Sequence, residues 1–130
     1  VDSSVQRSGR FSACIRLSGR GLHPASWSQE FLMPNREGQQ VTVSAWACTK
    51  DGARAALAVK PLDDECRAIA YHWSRERAAE LPQWTPLSVT FRVPHGCRSL
   101  VVRLLANGGG AVWFDDVSVS IHHPVLPLTE

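Results

Sequence analysis

The stretch from Trp84 to Ser120 restricts the possible folds more than any other part of the sequence. It contains three apolar runs that alternate in part with polar residues: Leu87–Val93, Leu100–Ala106 and Ala111–Ile121. Successive side chains of a strand point to opposite faces, so a period of two predicts strands with one buried and one solvated face. Proline and glycine separate the runs, at 94–96 and 107–110, and favour tight turns. We therefore predict three consecutive antiparallel strands here.

The same alternation predicts further strands upstream, at 11–17, 27–33, 40–48 and 67–73. Ala53–Lys60 contains good helix formers, but it is short, alternates and precedes Pro61, so we predict a strand there as well. One helical turn could fit within Ser74–Leu81. About eight short strands without a long helix predict an all-β fold, a two-sheet antiparallel β-sandwich of the jelly-roll type.

A chain of 130 residues, 44% of them hydrophobic, suits a single domain with a buried core. We predict that the sandwich occupies residues 1–121 and that residues 122–130, which include two prolines, form an extended tail. The net charge is +2 and the basic residues are scattered, which disfavours nucleic-acid binding. The sequence has no apolar run near the roughly 20 residues that span a membrane.

The sequence lacks the motifs of a nucleophile elbow, a phosphate-binding loop and a zinc metalloprotease. The acidic pairs Asp63-Asp64 and Asp115-Asp116 supply the residue type of glycosidases, but neighbours on a strand point to opposite faces and cannot flank one bond. His122-His123 could bind a surface metal, with a solvated tail as the alternative. We therefore do not expect an enzyme.

Several short motifs follow one another in an order that is typical of one class of domains. Trp84–Pro94 reads W-T-P-L-S-V-T-F-R-V-P, and Val112–Val119 reads V-W-F-D-D-V-S-V. Ser8–Ala13 (S-G-R-F-S-A) and Val41–Trp46 (V-T-V-S-A-W) precede them. From Gly9 to Ser120 the chain resembles jelly-roll carbohydrate-binding modules of families four, nine and twenty-two, which belong to the galactose-binding-domain-like class.

The resemblance implies one structural calcium. In these modules the first aspartate of the D-D-V motif often ligates the ion, which corresponds to Asp115, and backbone oxygens near the S-G-K-Y-S strand complete the site, here around Arg10. Asp115 shares strand parity with Val117 and Val119, so we expect it on the core face, where a carboxylate must be paired or bound to metal. The alternative is an Asp115 carboxylate that accepts hydrogen bonds from backbone amides.

Five tryptophans are many for a domain of this size, and indole rings stack on the C–H faces of sugars. Trp46 has the parity opposite to Val41 and Val43, which places it on a solvated sheet face. Trp27 lies at the start of a predicted strand. His72 and Arg103 occupy strand positions whose side chains should point away from the core. The candidate sugar contacts are therefore Trp27, Trp46, His72 and Arg103. The alternative is that most tryptophans fill the core.

Four cysteines, at 14, 48, 66 and 97, lack the C-x-x-C spacing of zinc and redox sites and allow three disulfide pairings. The resemblance implies a secreted or extracellular protein, in which one or more bridges would be stable. Four separate thiols, buried as small apolar groups, are the alternative.

The resemblance implies a non-catalytic secreted module that binds a polysaccharide or glycan. An alternative is a structural subunit of an extracellular filament or larger complex. In that case a strand from another copy would fill an unpaired sheet edge, and the tail Ser120–Thr129 is a candidate donor.

Overall fold

The computed structural model describes residues 13–17, 25–74 and 79–122, with side chains described for residues 26–74 and 79–122. These residues form eight strands: β1 Ala13–Leu17, β2 Ala25–Leu32, β3 Gln40–Lys50, β4 Arg54–Leu62, β5 His72–Trp73, β6 Thr85–Arg92, β7 Ser99–Asn107 and β8 Gly110–His122. The predicted all-β sandwich is confirmed. The described ranges contain no helix that is long and apolar enough to cross a membrane.

The strands form two antiparallel sheets. The first sheet has the order β1-β8-β3-β6 and the second sheet has the order β2-β7-β4-β5. All pairings within both sheets are antiparallel. Each sheet therefore has one face toward the other sheet and one face outward, as a two-layer sandwich requires.

The core lies between the sheets and follows from the alternation of the strands. In β3, Val41, Val43 and Ala45 are buried while Thr42 and Ser44 are partly exposed, as predicted. The largest fully buried hydrophobic side chains come from both sheets: Val41, Val43, Leu57, Val59, Leu87, Leu100, Val112 and Phe114. Burial of these apolar side chains supplies the main driving force for folding.

A β-bulge in β8 reverses which residues face the core. Ser44 pairs with Ser118, but Trp46 pairs with Asp115, so β8 has one residue more than β3 in this interval. Asp116 has a positive φ of 52° at this point. An extra residue shifts the alternation by one. The residues that face the core are therefore even-numbered on one side of the bulge and odd-numbered on the other.

Predicted strand ends differ from the structure by one or two residues in most strands, and by more at 67–73. The strand at Ala53–Lys60 is confirmed but extends through Pro61 to Leu62. The strand predicted at 67–73 is too long, because only His72 and Trp73 form β5 and an isolated bridge joins Ala68 to Leu62. The helical turn predicted within Ser74–Leu81 falls partly on residues 75–78, which lie outside the described residues. The tail predicted at 122–130 also lies outside them except for His122, which is the last residue of β8 and pairs with Gln40.

The expected disulfide is not formed among the cysteines whose side chains are described. Cys48, Cys66 and Cys97 are all free thiols. Burial raises the pKa of the Cys48 and Cys97 thiols, which keeps both in the neutral form. The alternative of separate thiols therefore fits these three cysteines.

Candidate functional site

The outer face of the second sheet brings an aromatic wall together with cationic and hydroxyl side chains. Strand pairing aligns one row across this face, consisting of Ser28, Arg103, Ala58 and Trp73. The next row consists of Glu30, Val101 and Lys60. We call these seven residues together with Tyr71 the Arg103 face.

The alternation of β7 explains why these side chains face outward. Leu100, Val102 and Leu104 belong to the hydrophobic core, so Val101 and Arg103 between them point away from it. Residues opposite each other in neighbouring strands share a face, which carries the same direction to their partners in β2 and β4.

The aromatic wall stands at the β5 edge of this face. Tyr71 is 51% exposed, and the Lys60 ammonium lies over its ring, 5.7 Å from the centroid. Trp73 packs on a small cluster of Ala56, Ala58 and Leu105. Ala56 and Ala58 are buried in this cluster, each 2% exposed, so the exposed stacking area at this edge comes from the aromatic ring of Tyr71.

Polar groups cover the opposite half of the Arg103 face. The Arg103 guanidinium donates a long hydrogen bond from Nη2 to Ser26 Oγ at 3.4 Å. The Ser99 hydroxyl donates to Glu30 Oε2 at 2.9 Å. Guanidinium, carboxylate and hydroxyl groups are the partners that recognise sugar hydroxyls, so both requirements of a sugar site are present on one face.

Ser74 fixes the aromatic wall to the rest of the sheet. Its Oγ accepts the Leu57 N–H at 2.8 Å, and its own N–H donates to the Leu57 carbonyl at 2.8 Å. Ser74 is 2% exposed. Two buried hydrogen bonds directly after Trp73 hold the short strand β5 against β4.

Three of the four predicted sugar contacts lie on three different surfaces, and the fourth faces the core. Arg103 is on the Arg103 face. Trp46 is partly buried on the outer face of the first sheet, where it pairs with Asp115 and Pro86. That face differs chemically, because hydroxyl pairs occupy its centre, with Ser44 Oγ 2.8 Å from Ser118 Oγ.

His72 does not have the predicted outward orientation. It pairs with the core residue Val59 and stacks on Phe91, with ring centroids 4.5 Å apart and an interplanar angle of 12°. Burial lowers the pKa of His72, because desolvation penalises the imidazolium. The parity was assigned from a strand at 67–73, whereas the register of the two-residue strand β5 turns His72 inward and Trp73 outward.

Trp27 lies in an apolar groove at the open side of the sandwich, which adjoins the Arg103 face at Ser28. The groove has a volume of about 240 Å³. It lies between β2, β7 and the bulged part of β8, and it is lined by Trp27, Ser28, Gln29, Phe31, Val102, Leu104 and Val117. Trp27 is 43% exposed and Val117 is 45% exposed. We call this feature the Trp27 groove.

Asp115 is not on the core face, contrary to the parity prediction. The bulge at Asp116 shifts the alternation, so Asp115 aligns with Trp46 on the outer side while Phe114 enters the core. Asp115 is nevertheless only 9% exposed, and its Oδ1 accepts the Asp116 N–H at 2.8 Å. This bond to a backbone amide is the alternative that the sequence left open.

A buried carboxylate at a bulge suits a hard cation such as calcium, which takes oxygen ligands. In the described part of the chain, however, no three His, Cys, Asp or Glu side chains cluster in a way that could hold a metal ion. The backbone oxygens predicted around Arg10 lie outside the described residues. Calcium binding at Asp115 therefore stays a prediction.

Sequence reasoning missed Lys60, Tyr71, Trp73 and Glu30 as members of the site. The alternation of Ala53–Lys60 does place Lys60 on the other face of the strand from Leu57 and Val59, and this pattern was the one sign in the sequence that Lys60 faces outward. What the sequence lacked was strand adjacency, because β7 separates β2 from β4 and thereby brings residues far apart in the chain into one row.

Neither a protein-family model nor a curated protein sequence matches this chain. Solved structures do match its fold. The CBM22-1 xylan-binding domain of Paenibacillus barcinonensis Xyn10C is 13% identical with a TM-score of 0.64, and the match covers 95% of this chain and 80% of that one. At this identity the likeness shows a shared fold.

Two further matches are to parts of larger chains. The CBM22-1–GH10 modules of Clostridium thermocellum xylanase 10B, solved with xylohexaose, are 14% identical with a TM-score of 0.59, over 95% of this chain and 27% of that one. The enzymatically active domain of bacteriophage CBA120 tailspike protein 4 is 14% identical with a TM-score of 0.71, over 92% of this chain and 17% of that one. The chain thus spans about a quarter or less of these two proteins.

Proposed function

We propose that this domain binds a polysaccharide or glycan through the Arg103 face. The observation that carries the proposal is the combination of the exposed Tyr71 ring with Arg103, Lys60 and Glu30 on one sheet face. Aromatic rings provide stacking area and the polar groups provide hydrogen bonds to hydroxyls. A fold shared with a xylan-binding domain supports the proposal.

The proposed role is binding without cleavage. Glycosidases typically use two carboxylates on either side of the scissile bond. The described strands of the second sheet place one carboxylate, Glu30, on the Arg103 face. Incubation with a bound polysaccharide should therefore release no new reducing ends. A polysaccharide ligand also implies action outside the cell, which localisation of the tagged parent protein would check.

Isothermal titration against a panel of plant, algal and bacterial polysaccharides tests the binding proposal. Tyr71→Ala and Arg103→Ala should each weaken binding by about tenfold, since each removes stacking or hydrogen-bonding contacts near the site. Trp46→Ala and Trp27→Ala are matched controls, because they remove an indole from the opposite sheet face and from the Trp27 groove. Both controls should retain wild-type affinity.

The outcome of the panel distinguishes the surfaces. Loss of binding in Trp46→Ala alone would move the site to the first sheet, and loss in Trp27→Ala alone would move it to the groove. Either result contradicts the proposal that the glycan binds at the Arg103 face. No binding to any polysaccharide in the panel would remove the carbohydrate proposal.

Assembly through a sheet edge is a second candidate function, favoured by the Trp27 groove. Within the described residues, β1 pairs with 110–114 of β8, and residues 118–122 of β8 pair with β3 alone. An apolar groove beside a strand edge can accept a donated strand. Deletion of residues 124–130 tests the tail as donor by light scattering. A smaller particle mass supports donation, and an unchanged mass contradicts it.

A further inference from the structure

The Arg103 face carries two cations close to each other. Lys60 is opposite Val101 and Arg103 is opposite Ala58, so the two basic residues are diagonal neighbours on the adjacent strands β4 and β7. Diagonal neighbours lie about 7–8 Å apart, within reach of long side chains. One small anionic group, or two on successive sugar residues, can therefore contact both.

Neither cation has a carboxylate partner among the residues with described side chains. No carboxylate of these residues lies within the 4.0 Å ion-pair distance of Lys60 or Arg103. Arg67 shows the contrast, since Asp63 and Glu65 both pair with it, at 3.5 Å and 2.9 Å.

Glu30 is the carboxylate of the Arg103 face. It lies in β2, where it is a diagonal neighbour of Arg103, and β7 separates it from Lys60 in β4. Two strand spacings amount to about 10 Å. Its Oε2 accepts the hydroxyl hydrogen of Ser99 at 2.9 Å. The described side chains of the Arg103 face therefore comprise two cations and one carboxylate, an excess of one positive charge.

Both cations are also partly ordered by neutral groups. The Tyr71 ring positions the Lys60 ammonium, and the Ser26 hydroxyl accepts from the Arg103 guanidinium. Neutral partners fix the direction of a side chain without cancelling its charge. The side chain therefore loses less conformational entropy when an anion binds.

We infer that the glycan bound at the Arg103 face is anionic, with carboxylate or sulfate groups on its sugar residues. This inference rests on the proposed function and specifies its ligand class. The Arg103 guanidinium can form two parallel hydrogen bonds to a carboxylate or sulfate, and Lys60 acts as a neighbouring point charge. Tyr71 is 51% exposed and has Lys60 over its ring, so it provides aromatic area next to this charge.

Two polymer pairs with matched backbones test the charge requirement. Polygalacturonic acid is compared with its fully methyl-esterified form, and dextran sulfate with dextran, by isothermal titration at two salt concentrations. In at least one pair the charged polymer should bind about tenfold or more tightly, and its affinity should fall as salt rises.

Variants of the two cations connect this effect to the Arg103 face. Lys60→Gln and Arg103→Gln should each lower the affinity for the charged polymer about three- to tenfold, whereas Arg103→Lys should retain more of it. Arg92→Gln removes an exposed charge from β6, at the other sheet, and should change nothing. Thermal unfolding of each variant checks that it folds.

The failures of the two proposals are distinguishable. Equal affinity for the charged and neutral members of both pairs overturns the anionic class but leaves glycan binding intact. Equal losses in Arg92→Gln and Arg103→Gln also overturn it, because the preference then follows net charge and not the Arg103 face. Absence of binding to every polymer overturns the proposed function together with its ligand class.

Discussion

Ser74 connects the aromatic wall of the Arg103 face to the core strand β4. Ser74→Ala leaves the buried Leu57 N–H without its acceptor, so we expect a loss of about 1–3 kcal/mol in the free energy of unfolding. Ser88→Ala, at an exposed position of β6, is the control and should stay within about 0.5 kcal/mol of wild type. Urea denaturation measures both, and equal effects would contradict the structural role of Ser74.

His72 should make stability dependent on pH. Burial lowers its pKa in the folded state below the usual value of about 6.5. As pH falls, His72 of the unfolded chain therefore takes up a proton before His72 of the folded chain does. The contribution of neutral His72 to the free energy of unfolding is complete above about pH 6.5, and it declines as pH falls from there to the folded pKa.

His72→Phe removes this titration and keeps a ring to stack on Phe91. We expect the wild type to lose stability relative to the variant as pH falls below about 6.5. Urea denaturation at several pH values measures the difference. A difference that stays constant across this range would show that His72 does not titrate differently on folding.

Calcium binding by Asp115 is a separate prediction. If Asp115 ligates the ion, calcium should raise the melting temperature of the wild type and chelation should lower it. Asp115→Asn keeps the size of the side chain but removes its charge, and should abolish the calcium effect. A melting temperature that does not respond to calcium in the wild type would contradict the prediction.

The prediction of side-chain direction succeeded where strands are regular and failed where they are not. The faces of β3 and the outward position of Arg103 followed from alternation alone. Asp115 was placed on the wrong face because a bulge inserts one residue, and His72 because β5 is only two residues long. Neither the bulge in β8 nor the short length of β5 leaves a signal in the periodicity of the sequence.

At the level of elements, turns pack against each other through their backbones. The turn before β8 approaches the end of β3 so closely that a methyl group on Gly110 would overlap the Lys50 carbonyl oxygen. Gly110 also has a φ of +92°. Gly110→Ala should therefore cost about 2–5 kcal/mol of unfolding free energy, from steric overlap and backbone strain together.

Gly38 provides the matched control, because it has a φ of +81° but no atom within 4 Å of the position that an alanine methyl group would take. Gly38→Ala should cost about 1–2 kcal/mol, from the left-handed backbone alone. Chemical denaturation of both variants compares them. Equal losses would mean that the approach of the two turns is not tightly packed.

Strand positions were predictable because Pro and Gly separate runs with a period of two, as at Leu87–Val93 and β6. The order of strands in the sheets was not, since alternation shows which face is buried and not which strand is the neighbour. The aromatic residues of β5 became part of a site only through the pairing of β5 with β4.

At the level of the whole molecule, the two outer faces have different chemistry. The first sheet presents paired hydroxyls and Trp46, whereas the second sheet presents Tyr71, Trp73 and the two cations Lys60 and Arg103. The fold class was accessible from the sequence, because the pattern of the full chain predicts a sandwich. The proposed binding face was not, because it depends on how the strands are arranged.

The most direct test of glycan binding at the Arg103 face is an NMR titration of the isotope-labelled domain with a soluble oligosaccharide identified by the polysaccharide panel. We predict that shifts of backbone amides cluster around Lys60, Tyr71 and Arg103. Shifts that cluster around Thr42 and Trp46, or around the Trp27 groove, would contradict the account.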